Sequence, residues 1–146
     1  MTWNDKPKAG PGFDFVRLED DGQTFTCVFP CEPYWKVTNI DGRKRIQAAF
    51  IVACNQQLKC FTLATRHAEE VQTRWIELSN FPVVVKRVGK TGSPLTKYDF
   101  ATTPGTLKDH WVPSTANALS LESMCIAVDQ WCDPSVDNSA GPNGAF

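Results

Sequence analysis

The chain lacks any apolar run long enough to cross a membrane. Its longest, Ala48 to Cys54, falls far short of the roughly 20 residues that a spanning helix needs. It also lacks an excess of charge: 15 Lys and Arg stand against 16 Asp and Glu in 146 residues, for a net charge of −1. As a whole it is neither a polycation nor an acidic solvating protein. Histidine is scarce, with two in the chain, and no Ser/His/Asp or Cys/His constellation is discernible. His67 is expected at a surface or boundary, and the adjacent Glu69 and Glu70 diverge on a helix, so they cannot form a general acid and base pair. An enzyme is therefore not expected.

The N-terminus, Met1-Thr2-Trp3-Asn4-Asp5, lacks the basic region and apolar core of a secretory signal. A cytoplasmic protein is expected. There the six cysteines, Cys27, Cys31, Cys54, Cys60, Cys125 and Cys132, stay reduced and serve mostly as small apolar residues. Neither Cys27-x3-Cys31 nor Cys54-x5-Cys60 has the two-residue knuckle common in structural zinc sites. Gly89-Lys90-Thr91 looks like the end of a phosphate loop, but Val84 stands where that loop needs its first glycine, and a strand follows instead of a helix. Neither metal nor cofactor is expected.

What is present is one domain's worth of short strands with a single helix. Two prolines and two glycines between Lys6 and Gly12 make residues 1–12 a flexible lead-in. Strands are predicted at Phe13 to Leu18, Gln23 to Phe29, Tyr34 to Ile40 and Arg45 to Cys54, with Asp41-Gly42 as a hairpin turn. Along the last of these, Ile46, Ala48, Phe50, Val52 and Cys54 share an apolar face. The other face, from Arg45 and Gln47 to Ala49, Ile51 and Ala53, turns from wet to dry. Lys59 to Leu63 is a further strand. Ala68, Val71, Trp75 and Leu78 then form one helical stripe between Ala64 and Leu78, and Pro82 prevents the helix from resuming. Val83 to Val88 and Leu95 to Thr102 complete the strands, and a short helix is predicted around Ser114 to Val128.

A mostly antiparallel β domain whose one helix precedes a final hairpin has the connectivity of the five-stranded Greek-key OB-fold barrel. The expected division is an OB domain over 13–105 and an acidic C-terminal extension over 106–146, with a disordered tail beyond the short helix.

The neutral average conceals a division of charge. Between Tyr34 and Tyr98 eleven basic residues meet four acidic ones, whereas residues 109–146 hold five acids and no Lys or Arg. Aromatics are interleaved with the bases, as in Tyr34-Trp35-Lys36, Lys59-Cys60-Phe61 and Lys97-Tyr98. A groove for single-stranded nucleic acid needs cations to replace counterions and flat rings to replace lost stacking. Phe50, Phe61, Trp75 and Phe81 also suit a core, and basic residues on strands also serve solubility and edge protection.

The run from Arg43-Lys44-Arg45-Ile46 to Leu63, the helix to Leu78, and Val85-Lys86-Arg87-Val88-Gly89-Lys90-Thr91-Gly92 with Leu95-Thr96-Lys97-Tyr98 resemble the single-stranded DNA-binding proteins of bacteriophages. Glu32-Pro33-Tyr34 is also similar, and the resemblance spans roughly residues 23–104. It implies an OB-fold replication or recombination protein that coats single-stranded DNA with little sequence preference. Arg87, Lys90 and Tyr98 on the last hairpin and Tyr34, Trp35 and Lys36 are implicated by position. Relatives that insert a Cys-rich zinc element near the middle strands differ from this chain, whose Arg45 to Cys54 runs on without one.

The full expected interface adds Arg43, Lys44, Arg45, Gln47, Lys59, Phe61, Lys86 and Lys97. An acidic tail with Asp133, Asp137 and the terminal Phe146 is expected either to occupy the basic groove or to dock replication and recombination proteins. Self-association on DNA is a further expectation. The alternative is a phage protein-interaction or virion-associated β domain without nucleic-acid affinity, in which the tyrosines and Trp35 are buried and the bases scattered.

Overall fold

The computed structural model describes residues 12–90 and 95–133. Strands β1 (Thr24–Cys27), β2 (Tyr34–Ile40), β3 (Arg43–Cys54) and β4 (Gln57–Ala64) precede helices α1 (Thr65–Thr73) and α2 (Trp75–Leu78). Strands β5 (Val83–Val88) and β6 (Lys97–Thr102), a 3-10 turn (Leu107–Asp109) and helix α3 (Thr115–Cys132) follow. Asp137 and Phe146 lie outside the described residues, as do most of the expected lead-in and tail.

The fold is mainly β, with two antiparallel three-stranded sheets, β2-β3-β4 and β1-β5-β6. The isolated bridge between Val28 and Ala53 joins them at one corner. Among the described residues no closed barrel forms, because no ladder pairs β4 with β6. Side chains from the helical segment cap the β6 edge instead: Arg66 Nη2 donates to Thr96 O at 3.4 Å, and Arg74 Nη1 to Phe100 O at 2.8 Å. The outer edge of β4 is met by the N-terminal segment, where Cys60 N donates to Asp14 O and Val16 N to Cys60 O. Of the strand predicted at Phe13 to Leu18, only this short contact forms, centred on a parallel bridge from Phe15 to Cys60.

Two tight turns set the register of the first sheet. Asp41 and Gly42 both have positive φ, 52° and 76°, as a two-residue hairpin turn matching the strand twist requires. Asn55 and Gln56 take φ of 48° and 65° between β3 and β4. Glutamine pays for that region with steric strain, and its bonds to the 108–112 segment compensate. Gln56 N donates to His110 O at 2.8 Å, while Gln56 Oε1 accepts from Val112 N at 2.9 Å.

The 12-residue β3 supplies both cores. Its even residues Ala48, Phe50 and Val52 meet Phe61, Leu63, Val83, Val85, Phe100 and the stripe shared by α1 and α2 in an inner core between the sheets. Ala68, Val71 and Leu78 of that stripe are buried, and Trp75 packs against the same core. The odd residues Ala49 and Ile51 meet Met124, Val128 and Cys132 of α3 in an outer core. The wet-to-dry change along β3 is thus the line where α3 begins to cover the sheet. Truncating a buried aromatic such as Phe50 costs about 3–5 kcal/mol in cores of this kind. The helix is longer than the one predicted around Ser114 to Val128, and Ser114 caps it by accepting from Asn117 N at 3.0 Å.

The β2–β3 hairpin runs on past the inner core. Ile46 has the core parity of Ala48 yet is 42% exposed, because the opposing sheet ends before reaching it.

Candidate nucleic-acid interface

Strand parity divides the expected interface residues among several surfaces. On the outer face of the β2–β3 hairpin, Lys36 is opposite Gln47 and Thr38 opposite Arg45, with Arg43 opposite Ile40. Arg43, Lys44 and Arg45 are exposed, and Gln47 is half-buried. Arg43 and Arg45, two residues apart on one face, are separated by about 7 Å along the strand. Lys44, of opposite parity, extends the cationic surface around the hairpin edge.

Lys36 is held by α3. Its Nζ donates to Trp131 O at 2.7 Å and lies 4.2 Å from the centroid of the Trp131 ring. Burial lowers the Lys36 pKa from the ordinary lysine value. Tyr34 packs half-buried against the outer core. The neighbouring Cys125 thiol, and after it burial, push its pKa up to about 12. Tyr34 therefore lies where β2 meets α3, with part of the residue still exposed.

Trp35 points to the opposite, inner face and is 47% exposed. With Trp75, Phe50, Pro33, Glu32 and Gln72 it borders a pocket of about 100 Å³ between β2 and α1. Trp35 thus flanks a small cavity and leaves about half of its surface to solvent. Trp75 and Trp131 were not among the expected site residues. Helical spacing assigns Trp75 to the core, and only the tertiary approach of β2 makes it line a pocket as well. Trp131 lies three residues beyond the predicted end of its helix, where no local period points to it.

The second expected group sits on β5 and β6. Arg87 shares the inward parity of Val83 and Val85 and is only 8% exposed. Its guanidinium donates to Leu18 O at 3.2 Å, Gly89 O at 3.3 Å, Lys90 O at 3.0 Å and Thr96 Oγ1 at 3.0 Å. Arg87 is a clamp across the hairpin and the segment before β1, so its expected contact with nucleic acid is corrected. Phe61 is likewise corrected: it lies in the inner core at 3% exposure, edge-on to Phe25 and Tyr98.

Tyr98 is half-buried, with its ring 5.7 Å from Phe61 and 5.2 Å from His67, both edge-to-face. Lys86 and Lys97 are exposed on the outer face of their sheet, where Asp99 stands opposite Lys86. Lys90 is exposed beyond β5, and Lys59 is half-buried opposite Val52 on the inner side of β4. A groove of about 310 Å³ beside Tyr98 combines Arg66, His67 and Lys97 with Glu70 and Asp99, so its charge is mixed. Asp133 ends α3 as its exposed C-cap.

The residues brought together are therefore Arg43, Arg45, Gln47 and Lys36 on one face of the hairpin, with Lys44 and Trp35 on the other. Among the described residues no group of three or more His, Cys, Asp or Glu is placed to hold a metal ion, and no helix is long and apolar enough to cross a membrane. Comparison with protein-family models, curated proteins and solved structures finds no match.

Proposed function

We propose that this chain binds single-stranded DNA with little sequence preference, through the projecting β2–β3 hairpin, in phage replication or recombination. The observation that carries the reading is the exposed Arg43-Lys44-Arg45 run at the hairpin end, backed by Gln47 and accompanied by the half-exposed Trp35 beside a small pocket. Cations on a projecting ribbon can follow a flexible phosphate backbone, and a half-exposed indole offers a base somewhere to stack.

The fold reading that goes with this is an open OB-type domain. β1 and β2 act as two halves of one strand, broken between Pro30 and Pro33. The first half pairs with β5 and the second with β3. Five strands with a helix between the third and fourth then follow the OB order. In such domains the second and third strands and their flanking loops form the usual ligand surface. Here that surface corresponds to the outer face of β3 and β4, and α3 covers its far half, which leaves the hairpin end to carry binding.

Titration with oligo(dT), followed by tryptophan fluorescence across a salt series, tests the proposal. Binding at low salt that weakens steeply as salt rises is expected. No binding at low salt, or an affinity indifferent to salt, contradicts it. The alternative of a protein-interaction domain is favoured by one observation: α3 leaves Leu119 and Ile126, one heptad apart, 59% and 55% exposed.

A further inference from the structure

The corner where the two sheets meet carries two thiols in register. Val28 and Ala53 exchange both backbone bonds, each N to O at 3.0 Å, which makes them a hydrogen-bonded antiparallel pair. In such a ladder the neighbouring pair is non-hydrogen-bonded, with Cα atoms about 4.5 Å apart. One step along, Cys27 stands opposite Cys54. That separation lies within the roughly 4.4–6.8 Å over which a disulfide closes without moving the backbone.

Both side chains turn to the same side. Cys27 belongs to the inner core and Cys54 packs against it, which brings the two thiols close enough to perturb each other's ionisation. Cys27 is fixed from its other side by pairing with Val83 of β5, and Cys54 closes β3 just before the Asn55-Gln56 turn.

We propose that Cys27 and Cys54 form a reversible cross-strand disulfide, made by exchange with a low-molecular-weight disulfide, that staples the two sheets at their bridged corner. Cys54 is the entering nucleophile, because it is half-exposed whereas Cys27 is fully buried. The adjacent Cys27 thiol, which outweighs the opposing effect of burial, and the charge of Lys59 hold the Cys54 thiol below its ordinary pKa, while the same pairing and burial push Cys27 upward.

The Cys54 thiolate attacks one sulfur of the small disulfide, whose S–S bond breaks and releases one thiolate. Cys27 gives its proton to that thiolate and attacks Cys54 Sγ, expelling the second small thiolate, which takes from solvent the proton that Cys54 had released. Two protein thiols are oxidised and one small disulfide is reduced to two thiols. The new bond closes a long loop running from β1 through β2 to the end of β3, which restricts the unfolded chain and so favours the folded one.

The test uses the full chain incubated with oxidised glutathione, then alkylated and mapped by peptide mass spectrometry without reductant. Two of the six cysteines are expected to escape alkylation, with the peptides of Cys27 and Cys54 joined, and dithiothreitol restores both thiols. The thermal midpoint is expected to rise by several degrees on oxidation in the wild type and in Cys125→Ser, and not in Cys54→Ser. The proposal is overturned if Cys27 and Cys54 remain alkylatable. It is equally overturned if the linkage maps to Cys31 with Cys125 or Cys60 with Cys132, or if glutathione stays on Cys54 unresolved.

Discussion

The β2–β3 hairpin holds Arg43, Lys44 and Arg45 in solvent, whereas the β5–β6 hairpin turns Arg87 inward, onto three carbonyls and a hydroxyl. Both hairpins are basic in sequence, and both stood in the expected interface. The difference lies in what each packs against. β5 runs between β1 and β6 over the inner core, so every second side chain is enclosed, and an arginine at that parity must find acceptors. The end of the β2–β3 hairpin extends past both the opposing sheet and α3, so its cations remain hydrated and free to exchange water for phosphate. A basic residue in a strand is informative about ligand binding only once its face is known.

The largest expected effect breaks this comparison through stability. Removing the Arg87 side chain orphans several acceptors, at about 1–3 kcal/mol for each that stays buried. Arg87→Ala is expected to lower the unfolding free energy by roughly 3 kcal/mol in urea melts, while the protein that remains folded binds oligo(dT) as the wild type does. A normal melt with lost binding would make Arg87 a ligand contact after all.

Next comes Trp35→Ala, which is expected to weaken oligo(dT) binding by about 1–3 kcal/mol if the indole stacks on a base. Tyr98→Ala should act instead through stability, because its ring is spent on Phe61 and His67. Equal losses of affinity in the two variants would return Tyr98 to the interface.

The smallest effect concerns the junction of α1 and α2, where Arg74 bonds Glu77 at 3.0 Å and Glu70 at 3.3 Å. The hydrogen bond from Arg74 holds Glu77 below the usual carboxylate value. A lowered carboxylate pKa stabilises the fold above the unfolded-state value, and that contribution fades as pH falls through the folded one. Both carboxylates are exposed, so the contribution is small. Thermal midpoints of wild type and Glu77→Gln should differ slightly at neutral pH and converge in acid.

Much of the strand framework was legible in sequence. The bounds of β2 and β5 match the expected Tyr34 to Ile40 and Val83 to Val88, and Asp41-Gly42 marks its turn because both residues tolerate positive φ. The two faces of β3 could be distinguished because charge gives way to apolar residues on only one of them. Arg87 was not legible, because Val83, Val84, Val85 and Val88 leave both parities of β5 apolar. The capture of Lys36 by Trp131 joins residues 95 positions apart, which no local period encodes. The role of α3 was hidden for a related reason: its apolar residues, from Leu119 and Leu121 through Met124 and Ile126 to Val128, spread around more than one side of the helix and mark no single buried stripe.

On the proposed function the β2–β3 hairpin, and not the lysines around β5 and β6, neutralises the DNA backbone. The most direct test measures the salt dependence of oligo(dT) binding in two variants, Arg43/Lys44/Arg45→Ser and Lys86/Lys90/Lys97→Ser. Each phosphate neutralised on a single strand contributes about 0.7 to the slope of log affinity against log salt. The hairpin variant is predicted to lose about 2 from that slope, together with most of its low-salt affinity, while the second variant changes little. A slope unchanged in the hairpin variant, or lost instead in the second, would contradict the account.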